Sequence, residues 1–233
     1  MHRCVGYIPV RGGSKGIRNK NIAEVGGKPL IYWTAKAASR CMGVDHVFIA
    51  TDSNKIANVV NSFGFKGVST IDRKPATATD GASTESAMLE FARRKEFSEI
   101  ILMQATSPLL TTKDLEAGIK KYRTGKYGSV ISVVRQRRML LGEKEGQTIP
   151  INYNPARRPR RQDWDGFLVE NGAFFITSKD NLLNSRCRMS GVLGYHEMPE
   201  ETYWEIDEPK DLGMLDYLLR KKYGIPIKDI QEA

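Results

Sequence analysis

From Val5 to Val134 short apolar runs alternate with longer stretches of helical periodicity, and this alternation constrains the fold more than any other feature. Val5–Val10, His46–Ala50, Ile100–Met103 and Ser129–Val134 read as buried strands. Between them, Pro29 opens a helix from Leu30 to about Arg40. Asp52 or Ser53 caps a helix over Lys55–Phe63, which Gly64 stops. Ser83-Thr84-Glu85 starts a helix to about Lys95, and Thr111 with Asp114 forms a capping box for a helix to about Tyr122. Strands separated by helices predict a mostly parallel sheet covered on both faces. Sites in such sheets lie outside the carboxyl ends of the strands. The loops after Val10, Ala50, Met103 and Val134 are therefore expected on one rim.

Residues 135–170 break the pattern, being rich in Arg, Gly, Pro and Gln with little periodicity. They read as an arm within a single domain spanning residues 1–233. Asn171–Thr177 returns to strand character, and Val192–Met198 is expected to pair with it. Pro209 opens a last helix to about Tyr223. No stretch approaches the roughly 20 apolar residues a membrane span needs. The first residues lack a signal-peptide apolar core, and the three cysteines, Cys4, Cys41 and Cys187, form no metal pattern. A reducing compartment, the cytoplasm or an animal nucleus, is the expectation. The formal charge of +9 fits nucleic acid, a membrane surface or small anionic substrates. Much of that charge sits in Arg135–Arg138 and Arg157–Arg161. With Trp164, the second run also fits a nucleic-acid-binding arm, the rival reading from another functional class.

The first strand delivers the loop Arg11-Gly12-Gly13-Ser14-Lys15-Gly16, continued by Lys20-Asn21. Glycines let backbone N–H groups approach oxygens closely, and Arg11, Lys15 and Lys20 add charge that matches a triphosphate. The loop is neither a Walker A sequence nor a dinucleotide fingerprint.

Together with later segments, this loop resembles the acylneuraminate cytidylyltransferases. The matching segments, in order, are Ala50-Thr51-Asp52-Ser53, Arg73, Thr79-Asp80-Gly81-Ala82-Ser83, Gln104-Ala105-Thr106-Ser107-Pro108-Leu109, Arg160-Arg161-Gln162-Asp163 and Asn171-Gly172-Ala173-Phe174-Phe175-Ile176. The stretch from Arg158 to Gly172 is similar to the animal-type members. The resemblance covers about residues 5–218. It implies a three-layer α/β fold of the Rossmann-like nucleotidyltransferase type, with residues 135–170 as a small dimerisation arm. It further implies transfer of CMP from CTP to a nine-carbon acidic sugar, sialic acid or Kdn, by a homodimer or higher oligomer. A legionaminic, pseudaminic or Kdo-type sugar is the alternative, although the loop differs from the Arg-Tyr-x-Ser-x-Arg form usual in the Kdo branch.

The roles it implies attach to particular residues. Arg11, Gly13, Ser14 and Lys20 would hold the triphosphate, with Asn21 beside the nucleotide and Arg73 and Ser83 near base and ribose. Gln104, Thr106, Ser107 and Arg160 would face the sugar, and Phe174 and Phe175 would shape its pocket wall. Alternation along a strand lets only one of these two phenylalanines reach a given face. Ser83 also reads as a helix cap. Arg11, Lys20 and Asp207 would be catalytic. The family's Asp-Ile-Asp metal site stands here as Glu205-Ile206-Asp207, two carboxylates on one side of an extended segment, suited to Mg²⁺ or Mn²⁺. Many bacterial members carry an Arg two residues before Asn-Gly, where this chain has Val169.

Overall fold

The computed structural model of the protein describes residues 2–13 and 16–227. Its strands are β1 (His2–Pro9), β2 (Glu24–Val25), β3 (Lys28–Pro29), β4 (His46–Thr51), β5 (Val68–Asp72), β6 (Phe97–Met103), β7 (Ser129–Gln136), β8 (Leu141–Lys144), β9 (Gln147–Pro150), β10 (Phe167–Ser178) and β11 (Leu193–Met198). Its helices are α1 (Leu30–Ser39), α2 (Asn54–Asn61), α3 (Thr84–Arg94), α4 (Thr112–Tyr122), α5 (Lys179–Ser185) and α6 (Pro209–Tyr223). Seven strands form the main sheet in the order β11-β7-β10-β6-β1-β4-β5. Only β10 runs against its neighbours. The mostly parallel sheet expected from the alternation is thus present, with one reversed strand.

Side-chain alternation sends successive strand residues to opposite faces. Ile8 and Phe174 enter the core under α1 and α4, while Tyr7 and Phe175 enter the core under α3 and α5. A third core gathers Val25, Leu30, Trp33 and Ile206 beneath Leu215 and Leu219 of α6. Ser53 caps α2 by accepting from the Ile56 N–H at 3.4 Å. Thr111 and Asp114 complete the expected capping box on α4. No helix of the described residues is long and apolar enough to cross a membrane.

Two sequence expectations need correction, and one strand is missed by the sequence reading. Val192–Met198 does not pair with Asn171–Thr177: β11 lies parallel to β7, which stands between it and β10. Apolar periodicity identifies a strand but carries no information about its partner. The segment 135–170 is less irregular than its composition implies, because β8 and β9 form a hairpin within it and β10 begins at Phe167. The polar strand β5, Val-Ser-Thr-Ile-Asp, escapes the apolar criterion because it lies at the sheet edge with its side chains only partly buried.

Candidate active site

Parallel pairing brings the carboxyl ends of β1, β4 and β6 to one rim. A cleft of about 430 Å³ opens there, lined by Arg11, Lys20, Asn21, Arg73, Asp80 and Asp207, among others. The loop after β1 is shaped by short backbone contacts. The Gly12 N–H donates to Asp52 Oδ1 at 2.8 Å, and the Asn21 side-chain amide donates to the Arg11 carbonyl at 3.1 Å. A Cβ on Gly16 would lie 2.7 Å from the Asp207 carbonyl oxygen, so glycine is what lets the loop touch the 205–207 segment. Arg11 pairs with Asp80 at 2.5 Å across the cleft. Lys20 donates to the Ile206 carbonyl at 2.7 Å and lies 3.3 Å from Asp207 Oδ1. The Arg73 guanidinium donates to the Thr77 carbonyl, leaving its buried Nε without a protein partner.

The segment Glu205-Ile206-Asp207 joins this cleft to a second polar cluster. Ile206 is fully buried in the core beneath α6, and its N–H donates to the Thr106 carbonyl at 3.2 Å. Asp207 extends into the cleft with its side chain 73% exposed. It is not the cap of α6: the Asp211 carboxylate accepts from the backbone N–H groups of Asp207 and Glu208 at 3.0 and 2.8 Å. Glu205 is packed against Gly172, whose missing side chain leaves room for the carboxylate and for Gln104 Oε1. Ser107 Oγ lies 3.4 Å from Glu205 Oε1 and 3.3 Å from the Asn171 carbonyl. Burial, with the Asp207 charge close by, pushes the Glu205 carboxyl up to about 7.

The structure therefore brings Arg11, Lys20, Asn21, Arg73 and Asp207 together in the cleft. Gln104, Ser107 and Glu205 meet beside it. Gly13 lies on the same loop, Thr106 acts through its carbonyl, and Ser14 falls outside the described residues. Ser83 caps α3, accepting from the Ser86 N–H at 3.1 Å, while its neighbours Ala82 and Thr84 line the cleft. Arg160 sits on the arm, 2.7 Å from Asp163 and 76% exposed, and is not a cleft residue.

The expectation for the two phenylalanines is corrected. Phe174 and Phe175 are 0% and 3% exposed, in opposite cores, so neither forms a pocket wall. Both faces of the sheet are covered by helices, so alternation buries both residues. Asp80 and Gly172, present in the matched motifs but given no role in the sequence reading, prove central to the geometry. Positive φ at Gly172, +66°, is the local signal.

Among the described residues no group of three or more His, Cys, Asp or Glu forms a metal cluster. The donor set on the 205–207 segment fits a hard cation that takes only one or two carboxylates from protein and its other ligands from phosphate and water.

The chain matches the Cytidylyltransferase family over residues 5–223. It is 39% identical over 205 residues to N-acylneuraminate cytidylyltransferase A of Danio rerio, covering 86% of this chain and 47% of the relative. It is 38% identical over 205 residues to N-acylneuraminate cytidylyltransferase of Oncorhynchus mykiss, covering 86% of this chain and 46% of the relative. The chain thus spans about half the length of the curated relatives it matches. A solved CMP:2-keto-3-deoxy-manno-octonic acid synthetase complexed with CTP superposes with a TM-score of 0.74 at 19% identity, covering 94% of this chain and 99% of that one, a likeness of fold. With loop, cleft and paired carboxylates all inside the matched span, this chain belongs to the cytidylyltransferase family.

Proposed function

We propose that this chain transfers CMP from CTP to the anomeric hydroxyl of a nine-carbon acidic sugar, sialic acid or its deaminated form Kdn, releasing pyrophosphate. The observation that carries the reading is the 205–207 segment. One carboxylate enters a cationic cleft suited to a triphosphate, and the other sits with Gln104 and Ser107 next door. Two substrates held on either side of this segment would meet at it. The names of the relatives supply the sugar class.

In this mechanism the sugar hydroxyl oxygen attacks the α-phosphorus as its proton passes to a carboxylate or to water, the bond to the bridging oxygen breaks, and pyrophosphate leaves in line. Such chemistry rests on positioning and charge stabilisation. Arg11 and Lys20 neutralise the β- and γ-phosphates, and Lys20 also fixes the 205–207 backbone through the Ile206 carbonyl. Asn21 holds the loop closed on itself. Asp207, with Glu205 behind it, would hold Mg²⁺ or Mn²⁺, which when bound offsets charge on the reacting phosphate. Gln104 and Ser107 orient the sugar and keep its hydroxyl on the segment side. We propose further that residues 135–170 pack against a second copy. The exposed Leu140, Leu141, Ile149 and Ile151 on the arm support this, and light scattering showing only monomer at micromolar concentration would refute it.

The test is pyrophosphate release from CTP and sialic acid with and without Mg²⁺. Arg11→Ala and Asp207→Ala are expected to abolish release while circular dichroism stays unchanged. Ordinary turnover in either variant would overturn the role given to that residue.

A further inference from the structure

Several arginines of the molecule sit against carboxylates: Arg94 on Glu90 at 2.5 Å, Arg123 on Glu99 at 2.7 Å, Arg188 on Glu85 at 2.5 Å and Arg220 on Asp216 at 2.6 Å. Four cations without such an ion pair share one pocket. Lys36 of α1, Arg40 at its C-cap, Lys113 in the first turn of α4 and Lys222 near the end of α6 line a single pocket of about 330 Å³, with Thr112 and Tyr223. The pocket shares no residue with the CTP cleft. Among the described residues none of the four cations is joined to a carboxylate by an ion pair, in contrast to Lys179 with Glu96 or Lys210 with Glu208.

The nearby acids are turned elsewhere or stand off. The Asp114 carboxylate is engaged by Thr111 and, at 3.0 Å, by His196, and both Asp114 and Glu201 act on Lys222 only through their field. The Lys222 ammonium donates to the Leu109 carbonyl at 2.7 Å. The Lys36 ammonium lies 4.9 Å from the centre of the Tyr223 ring, which is itself stacked on Trp33 at 4.7 Å. Burial, followed by repulsion from Arg40 and Lys28, lowers the Lys36 pKa. Cations lining one pocket repel one another, as Arg40 does Lys36, and the positive end of α4 adds to the same field. An anion of matching valence removes that penalty. The volume is at the lower end for small-molecule sites.

We infer that this pocket is a second ligand site, taking a small polyvalent oxyanion of the phosphate class. Leu109 and Thr111 continue directly from the Gln104–Pro108 loop, so the occupant sits behind the loop that carries the sugar-side residues. The inference does not depend on the cleft's being a CTP site.

The experiment is calorimetric titration of the full chain with inorganic pyrophosphate. Because Arg11 and Lys20 also attract phosphate, the titration is run in an Arg11→Ala, Lys20→Ala background. That background is expected to retain one pyrophosphate site. Adding Arg40→Gln and Lys113→Gln, both at exposed positions, is expected to raise its Kd tenfold or more with the circular dichroism spectrum unchanged. Absence of binding in the background, or an unchanged Kd after the rim substitutions, overturns the proposal. A parallel titration compares inorganic phosphate with glycerol 3-phosphate. Either binding tighter, with the same loss on rim substitution, supports the site and tells free phosphate from a phosphate ester as its source.

Discussion

Gly172→Ala is the most informative single change at the site. At its φ of +66° any residue with a Cβ is strained, by about 1–2 kcal/mol. The new methyl group would also land on Glu205 Oε1 and 2.5 Å from Gln104 Oε1. Both neighbours are the ends of flexible side chains, so they move aside instead of unfolding the sheet. For a domain of this size each kcal/mol lowers Tm by roughly 2–4 °C, which gives a fall of about 2–8 °C. The effect on chemistry is larger. Glu205 leaves its place beside Ser107, and Gln104 moves with it. A displacement on the order of 1 Å in a positioning group costs about 100-fold in rate. We therefore expect kcat/KM for pyrophosphate release to fall about 100-fold at a temperature where the variant stays folded, as scanning calorimetry would verify. Wild-type turnover would refute the claim that Gly172 makes room for a functional carboxylate. A rate loss that simply follows the unfolded fraction would refute it equally.

Asp80→Asn is expected to tighten CTP binding. The Arg11–Asp80 pair is partly exposed, with side chains 30% and 46% accessible, so it contributes only about 0.2–1 kcal/mol. Removing a carboxylate near the phosphates adds about 1 kcal/mol at solvent-like screening. The sum of about 1.2–2 kcal/mol corresponds to roughly 7–30-fold in Kd, measurable by calorimetric titration without the sugar. Unchanged or weaker binding would show that Asp80 does not compete with the triphosphate for Arg11.

Much of the fold was legible because its driving pattern is local. Strands β1, β4, β6 and β7 are apolar runs, and the caps at Ser53, Ser83 and Thr111 are polar residues directly before helical periodicity. Pairing was not legible, since β11 finds β7 across more than fifty intervening residues and nothing local encodes it. The gathering of Arg11, Lys20 and Asn21 in one cleft was legible because they lie on one continuous loop. The cluster of Gln104, Ser107 and Glu205 was less so. It depends on a bulge in β10, between Glu170 and Phe175, that breaks the register and brings Gly172 under Glu205. Alternation places Phe174 and Phe175 on opposite faces, but it does not say that helices cover both faces and bury both rings.

The central claim is that CTP and an acidic nine-carbon sugar react across the Glu205–Asp207 segment. The most direct measurement is phosphorus NMR of the chain incubated with CTP, Mg²⁺ and a panel of acidic sugars. The account predicts that the triphosphate signals give way to pyrophosphate and a phosphodiester linking CMP to sialic acid or Kdn. CTP left intact with every nine-carbon and eight-carbon keto-acid sugar tested would contradict it.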